Sequence, residues 1–202
     1  ILEGAGVDAV MINTDSMRYG CEVAEIPSIA KQLARTTADR GMPIARHDLI
    51  IHPLQIAEAA VAGACAVNIV AAAALPELLE LLNSATAMGI DAIVECHSEL
   101  ERDLAVECGA TILHLSNRDR TTNKIHPGRA ESLRLDIPSW VVTMGGIVTA
   151  RQAWSLMDSG FDAVVLGEVL LKSRRVADYI KEIRSQKRET GNPFEMDFLA
   201  KS

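Results

Sequence analysis

The sequence predicts an α/β fold built on a parallel sheet, and three observations predict it. A glycine-led apolar phrase recurs: G-V-D-A-V-M-I-N at Gly6, G-A-C-A-V-N-I-V at Gly63, G-I-D-A-I-V-E-C at Gly89, G-A-T-I-L-H-L-S at Gly109 and G-F-D-A-V-V-L-G at Gly160. Amphipathic or proline-started helical patterns lie between these phrases. The apolar runs are continuous rather than alternating, as in parallel strands covered on both faces. A repeated strand–helix unit implies either an open doubly wound sheet or a closed barrel.

Each element can be justified in turn. The leading glycine suits a left-handed helix C-cap, and the apolar run behind it suits a buried strand. Two further strands fit P-I-A-R-H-D at Pro43 and W-V-V-T-M at Trp140, which makes seven. Residues 22–40 carry apolar side chains at helical spacing. The helices predicted over 53–62 and 76–88 both start with proline in the first turn, where its missing N–H is harmless. The helix over 98–108 opens with S-E-L-E, a capping box between Ser98 and Glu101. Helices over 149–159 and 173–188 complete the set, and 118–135 reads mostly as loop. Seven strands are one short of an eight-stranded barrel. The chain starts at Ile1 and its first strand follows almost at once, so a first strand and its helix are expected to be missing.

Composition narrows the function classes. The 202 residues suffice for a substantial core. A net charge of −7 argues against general nucleic-acid binding. Aromatic residues are 3%, too few for a base-stacking platform. The basic run over 173–188 is the solvated face of a last helix or, alternatively, a docking surface for an acidic partner. No apolar run is long enough to span a membrane, and no signal peptide is visible. Cys21, Cys65, Cys96 and Cys108 form no C-x-x-C and read as reduced core residues. Met11, Met17 and Met42 read as packing. His52, His97, His114 and His126 show no metal-ligand spacing. Asn68, inside an apolar strand, faces the barrel mouth or is a satisfied core amide.

The stretch W-V-V-T-M-G-G-I-V-T-A, beginning at Trp140, reads as strand, turn and helix start. Gly145 and Gly146 let backbone approach something closely, and Thr149 caps the following helix. Such a turn can hold a phosphate at a helix N-terminus.

Taken together, P-I-A-R-H-D-L-I-I-H-P-L-Q-I, G-I-D-A-I-V-E-C-H-S-E-L-E-R, L-S-N-R-D-R-T-T and F-D-A-V-V-L-G-E-V-L-L resemble the indole-3-glycerol phosphate synthase family, in order and over nearly the whole chain. The resemblance implies a (βα)8 TIM barrel, of which residues 1–202 form a single domain carrying strands two to eight. It implies decarboxylation, ring closure and dehydration of carboxyphenylamino-deoxyribulose phosphate in tryptophan biosynthesis, with no metal or organic cofactor. An essential lysine of the family belongs to the expected missing strand.

The resemblance also implies site residues. Glu95, in V-E-C-H, matches the catalytic glutamate that moves protons during dehydration. The alternative is a carboxylate paired with Arg46 or Arg118. His47 stands where the family has a general-acid lysine. It is either a proton donor or a rim residue hydrogen-bonded to Asp48. Arg46, Ser116, Asn117 and Arg118 are the expected substrate-binding residues, with Ser116 in place of an asparagine. Gly145, Gly146, Gly167 and Glu168 are the expected phosphate-binding set. Met144 replaces the family's second glutamate, Gly145 a serine and Val169 a hydroxyl residue.

Two readings follow. One is an enzyme of this family acting on a sugar phosphate. The other is a catalytically inactive barrel serving as a structural, scaffolding or regulatory subunit, with a protein partner in a larger assembly. Either is expected in the cytoplasm or an organelle matrix such as a plastid stroma, without nucleic acid.

Overall fold

A computed structural model describes residues 5–34, 41–119, 122–135 and 137–185 of the chain. Seven strands form one parallel sheet in chain order: β1 (Val10–Asn13), β2 (Ile44–His47), β3 (Ala66–Val70), β4 (Asp91–Cys96), β5 (Ile112–Ser116), β6 (Trp140–Met144) and β7 (Ala163–Val165). The helices are α1 (Ser16–Tyr19), α2 (Ile26–Ala34), α3 (Pro53–Ala62), α4 (Ala71–Ala74), α5 (Leu78–Met88), α6 (Glu99–Glu107), α7 (Arg129–Leu133), α8 (Ala150–Asp158), α9 (Glu168–Lys172) and α10 (Val176–Ser185). The sheet curls into a nearly closed barrel, and among the described residues its seam lies between β1 and β7. Helix α10 reaches towards that seam. The Arg184 guanidinium donates to Asp8 at 2.6 and 2.8 Å, and the Trp154 indole N–H donates to the Ile183 carbonyl at 2.9 Å.

Local chemistry explains the element ends. Gly63 and Gly89 sit at φ +94° and +70° as left-handed caps of α3 and α5, a conformation that costs a side-chain-bearing residue. Pro53 opens α3, and the His52 ring accepts from the Leu54 N–H. Thr149 and Gln152 form a reciprocal capping box on α8. The box predicted on α6 is only half formed. Ser98 Oγ accepts from the Glu101 N–H at 3.3 Å, but the Glu101 carboxylate accepts from the His97 N–H at 2.8 Å, one residue further out.

Four expectations are corrected. The helix expected from residue 22 is a 3-10 turn, Val23–Glu25, followed by α2, and residues 35–40 lie outside the described residues. The last helix begins at Val176 rather than 173, because Ser173 is extended (ψ 132°), and residues 186–188 lie outside the description. Met17 is 97% exposed and does not pack. Cys65 is exposed and Cys21 is half-buried, so of the four free thiols only Cys96 is fully in the core, with Cys108 packed against it.

Register and strand parity create two faces. Side chains paired across parallel strands point to the same side, and the side alternates along each strand. Ile44, Val67, Ile69, Val94, Cys96, Leu113, Leu115 and Val141 face the helices and pack with Ile56, Leu78, Leu81, Ala105 and Leu156 in the main core. Each such fully buried aliphatic side chain contributes about 1.5–3 kcal/mol. The other parity faces the lumen. There Asn13 pairs with His47 and His47 with Asn68; Val70 pairs with Glu95 and Glu95 with His114; Ser116 pairs with Met144 and Met144 with Val165. The topology therefore turns polar residues from β1 to β5 into one lumen.

Candidate active site

Glu95 is the penultimate residue of β4, on the lumen side, and is 2% exposed. Its carboxylate is surrounded. Asn68 Nδ2 donates to Oε2 at 2.7 Å. His97 Nε2 lies 3.1 Å from Oε1, His47 Nε2 lies 3.6 Å from Oε2, and His114 Nδ1 lies 3.8 Å from Oε2. His114 Nδ1 also lies 3.1 Å from Asn68 Oδ1, and His47 Nδ1 lies 3.3 Å from Asn13 Nδ2. Burying a carboxylate is costly unless it is paired and hydrogen-bonded; here the Asn68 amide donates to it and three imidazole nitrogens stand 3.1–3.8 Å away.

His97 links this cluster to the start of α6. Its Nδ1 is 3.4 Å from Glu101 Oε2. Burial opposes its charge, but hydrogen bonds and charges from Glu101 and Glu95 outweigh burial and push it up to about 9. Burial likewise works against the Glu101 anion, yet the His97 side chain and N–H and the Ser98 hydroxyl hold its carboxyl below the usual range. Burial pushes the neighbouring Cys96 thiol up, with Glu101 and Glu95 adding to the effect.

The structure separates the other expected site residues. Arg46 shares the helix-facing parity of Ile44, not the lumen parity of His47. Its guanidinium donates to Thr14 Oγ1 (2.9 Å), the Gln55 carbonyl (2.8 Å) and Asp48 (2.8 Å), and it reaches Glu58 at 3.4 Å. It ties β2 to α3 rather than facing the lumen. Asp48 is taken up by Thr14, Arg46 and the Leu49 N–H, so the alternative of a His47–Asp48 bond gives way to His47 facing Asn13 and Glu95. The alternative pairing of Glu95 with Arg46 or Arg118 likewise gives way to the imidazole cluster. Asn117 is 6% exposed, with Oδ1 accepting from the Ala130 N–H at 2.9 Å and Nδ2 directed at the Gly145 carbonyl at 3.5 Å. It fastens α7 and the end of β6 to β5. Ser116 Oγ turns back on its own loop, 3.2 Å from both the Arg118 N and O.

On the far side, Arg118 reaches out of the loop after β5. Its guanidinium bonds Asn123 and meets Glu168 at 3.4 Å. Glu168 also pairs with Lys172 at 2.5 Å, and these cations hold its carboxyl below the usual range, Lys172 contributing most. Gly145 and Gly146 do carry positive φ, +103° and +74°. What they approach is protein: a Cβ on Gly146 would lie 2.7 Å from Ile125 Cγ2, and one on Gly145 would lie 3.3 Å from the Arg118 N. Gly167 has open space where a Cβ would be.

The sequence reading missed His97 and His114 and left Asn68 open. A usable signal was present. Glu95 and His97 are two apart and share parity, and the five-residue runs A-V-N-I-V and I-L-H-L-S each put one polar residue at the centre of a strand. Among the described residues no group of three or more His, Cys, Asp or Glu could hold a metal ion, and no helix is long and apolar enough to cross a membrane.

The fold and the site together define a (βα) barrel with a buried carboxylate–imidazole cluster at the C-terminal ends of its strands, the face on which such barrels build their sites. The fold is shared with 3-hexulose-6-phosphate synthase from Salmonella typhimurium, at TM-score 0.68 and 17% identity over 87% of this chain and 85% of that one. It is shared also with thiamine phosphate pyrophosphorylase from Pyrococcus furiosus, at TM-score 0.67 and 17% identity over 90% and 83%. Residues 2–183 match indole-3-glycerol phosphate synthase, and the chain belongs to that family. It is 42% identical over 153 residues to the indole-3-glycerol phosphate synthase of Chloroherpeton thalassium, covering 74% of this chain and 59% of the relative. The enzyme of that name from Chlorobium phaeovibrioides is 34% identical over 171 residues, covering 83% and 64%. The chain thus spans less than two thirds of the length of these two relatives.

Proposed function

We propose that the protein is an indole-3-glycerol phosphate synthase-type carboxy-lyase. It closes the ring of carboxyphenylamino-deoxyribulose phosphate with loss of carbon dioxide and water, and Glu95 is its central proton-transfer group. The observation that carries this reading is the buried Glu95 carboxylate held by Asn68 and three imidazoles at the C-terminal end of the strands. Ring closure onto a ketone, followed by dehydration, needs one group that gives a proton to oxygen and one that accepts a proton. His47, 3.6 Å from Glu95, is the proposed donor and Glu95 the proposed acceptor.

Substrate contacts follow from what remains available. Arg118 offers a planar fork for an anionic group once Glu168 is displaced, and an exposed ion pair is cheap to break. Ser116 is the proposed hydroxyl contact. Backbone N–H groups at Gly145, Gly146, Gly167 and Glu168 are the proposed phosphate contacts. Arg46 and Asn117 support the site from behind.

The test is turnover of carboxyphenylamino-deoxyribulose phosphate, followed by indole fluorescence, using the protein expressed from its own gene. Turnover that disappears in Glu95→Gln supports the reading. A folded protein with no turnover at high enzyme concentration overturns it and leaves the inactive-scaffold reading. The observations favouring that second reading are the filling of the Gly146 turn by Ile125 and the Glu168 carboxylate where a phosphate is expected.

A further inference from the structure

Glu95 is 2% exposed, so a proton it gains or loses has to pass through a neighbour. Two of the surrounding groups lie deep in the barrel: Asn68 and His114 are both 0% exposed. His97 differs. It lies immediately beyond β4, with one ring nitrogen 3.1 Å from Glu95 Oε1 and the other 3.4 Å from Glu101 Oε2. Glu101 is itself fixed, accepting from the His97 N–H at 2.8 Å and from Ser98 Oγ at 3.1 Å. The imidazole is therefore clamped between two carboxylates, one in the lumen and one on the first turn of α6.

We propose that His97 is a positioning and proton-relay residue: held by Glu101, it keeps the Glu95 carboxylate turned into the lumen and passes its proton to the rim. The inference rests on Glu95 being the proton-transfer group proposed above. In its charged form, His97 places a cation against Glu95 Oε1. A proton taken up at Nδ1 from the Glu101 side charges an imidazole already protonated at Nε2, and the charged ring then delivers its Nε2 proton to Glu95 and keeps the one at Nδ1; the reverse sequence carries a proton from Glu95 to the rim. At the rim an O–H bond breaks as the Nδ1–H bond forms, and at Glu95 the Nε2–H bond breaks as an O–H bond forms. No co-reactant beyond solvent protons is needed. The ionisable groups around this ring are Glu95 on β4, Glu101 on α6 and the Cys96 thiol beside it, with Arg102 acting on Cys96 and with His47 and His114 across the Glu95 carboxylate.

The test uses imidazole nitrogen NMR on the 202-residue chain across pH, in the wild type, Glu95→Gln and Glu101→Gln. Glutamine keeps an acceptor for the His97 N–H and for Asn68, so both variants should fold. His97 is expected to titrate near 9 in the wild type, and to move downward by a unit or more in each variant. Turnover supplies the second readout: Glu101→Gln is expected to lower kcat about tenfold, leave KM unchanged and move the alkaline limb of the pH–rate profile. A His97 midpoint near that of free histidine, or one unmoved by Glu95→Gln, overturns the inference. So does an unchanged kcat and pH profile in Glu101→Gln. If the wild type shows no turnover, the proposed function fails, and the titration still decides whether the clamp exists.

Discussion

The two halves of the barrel mouth are built differently. From β1 to β5 the lumen holds Asn13, His47, Asn68, Glu95 and His114, whose polar atoms meet one another. From β6 to β7 the matching positions are Met144 and Val165, and the adjoining Gly145–Gly146 turn packs on Ile125. At that edge Glu168 pairs with both Arg118 and Lys172 near solvent. Buried polar and ionisable groups are therefore concentrated in the first half, while the second half is a packed turn with an ionic latch. A buried ionisable cluster holds its geometry because each member would be costly to leave unpaired. An exposed latch opens for little.

Four expected outcomes break or sharpen this contrast. The largest belongs to Glu95. Glu95→Gln should reduce turnover by about 10²-fold or more in the fluorescence assay while circular dichroism stays native, because the amide still accepts from Asn68 but cannot carry the proton. Near-normal turnover in that variant would move the chemistry out of the first half.

Next is the packed turn. Gly146→Ala puts a Cβ 2.7 Å from Ile125 Cγ2 at φ +74°, and should lower stability by about 1–3 kcal/mol in urea unfolding. Adding Ile125→Ala should recover the steric part and leave the backbone part. Full tolerance of Gly146→Ala alone would mean that the turn is open, as a phosphate cradle needs.

A smaller effect is set by pH. His97 is raised from 6.5 to about 9 in the folded chain. Its contribution is thus fully present below 6.5, and is lost as pH rises through about 9. Urea midpoints should fall over that window in the wild type, and the fall should be shallower in His97→Gln. Parallel curves would separate His97 from its carboxylates. The smallest effect is expected for Glu168→Gln, which should leave the urea midpoint unchanged, since its pairs are exposed and screened. The same variant should bind inorganic phosphate more tightly if the second half does accept an anion.

Much of the architecture was legible because local rules speak plainly here. Pro53 and Gly63 bound α3, Thr149 caps α8, and the glycine-led runs mark their strands. The α6 cap was half legible: S-E-L-E signals a helix start, but the Glu101 carboxylate is drawn one residue outward by His97. Candidate site residues were legible only where a motif carried them. Glu95 and His47 were singled out that way, and both lie in the lumen cluster. Arg46 stood beside His47 in the same motif and was read as a ligand contact, because a motif does not display which way adjacent side chains point.

From its own residues the chain determined strands that alternate with helices in a parallel sheet, because capping, proline placement and apolar runs are short-range properties; the closed barrel and the place of Glu95 came with the family resemblance. Only the tertiary structure decided what surrounds that glutamate. Asn68 lies 27 residues from Glu95 and 46 from His114, and parallel register brings Glu95 level with His114 while Asn68, two positions lower, shares their parity. Parity sent His47 inward and Arg46 outward. Burial then turned four ordinary polar residues, Asn68, His47, His97 and His114, into the partners of one carboxylate, since a charge removed from water is kept only where such partners converge on it.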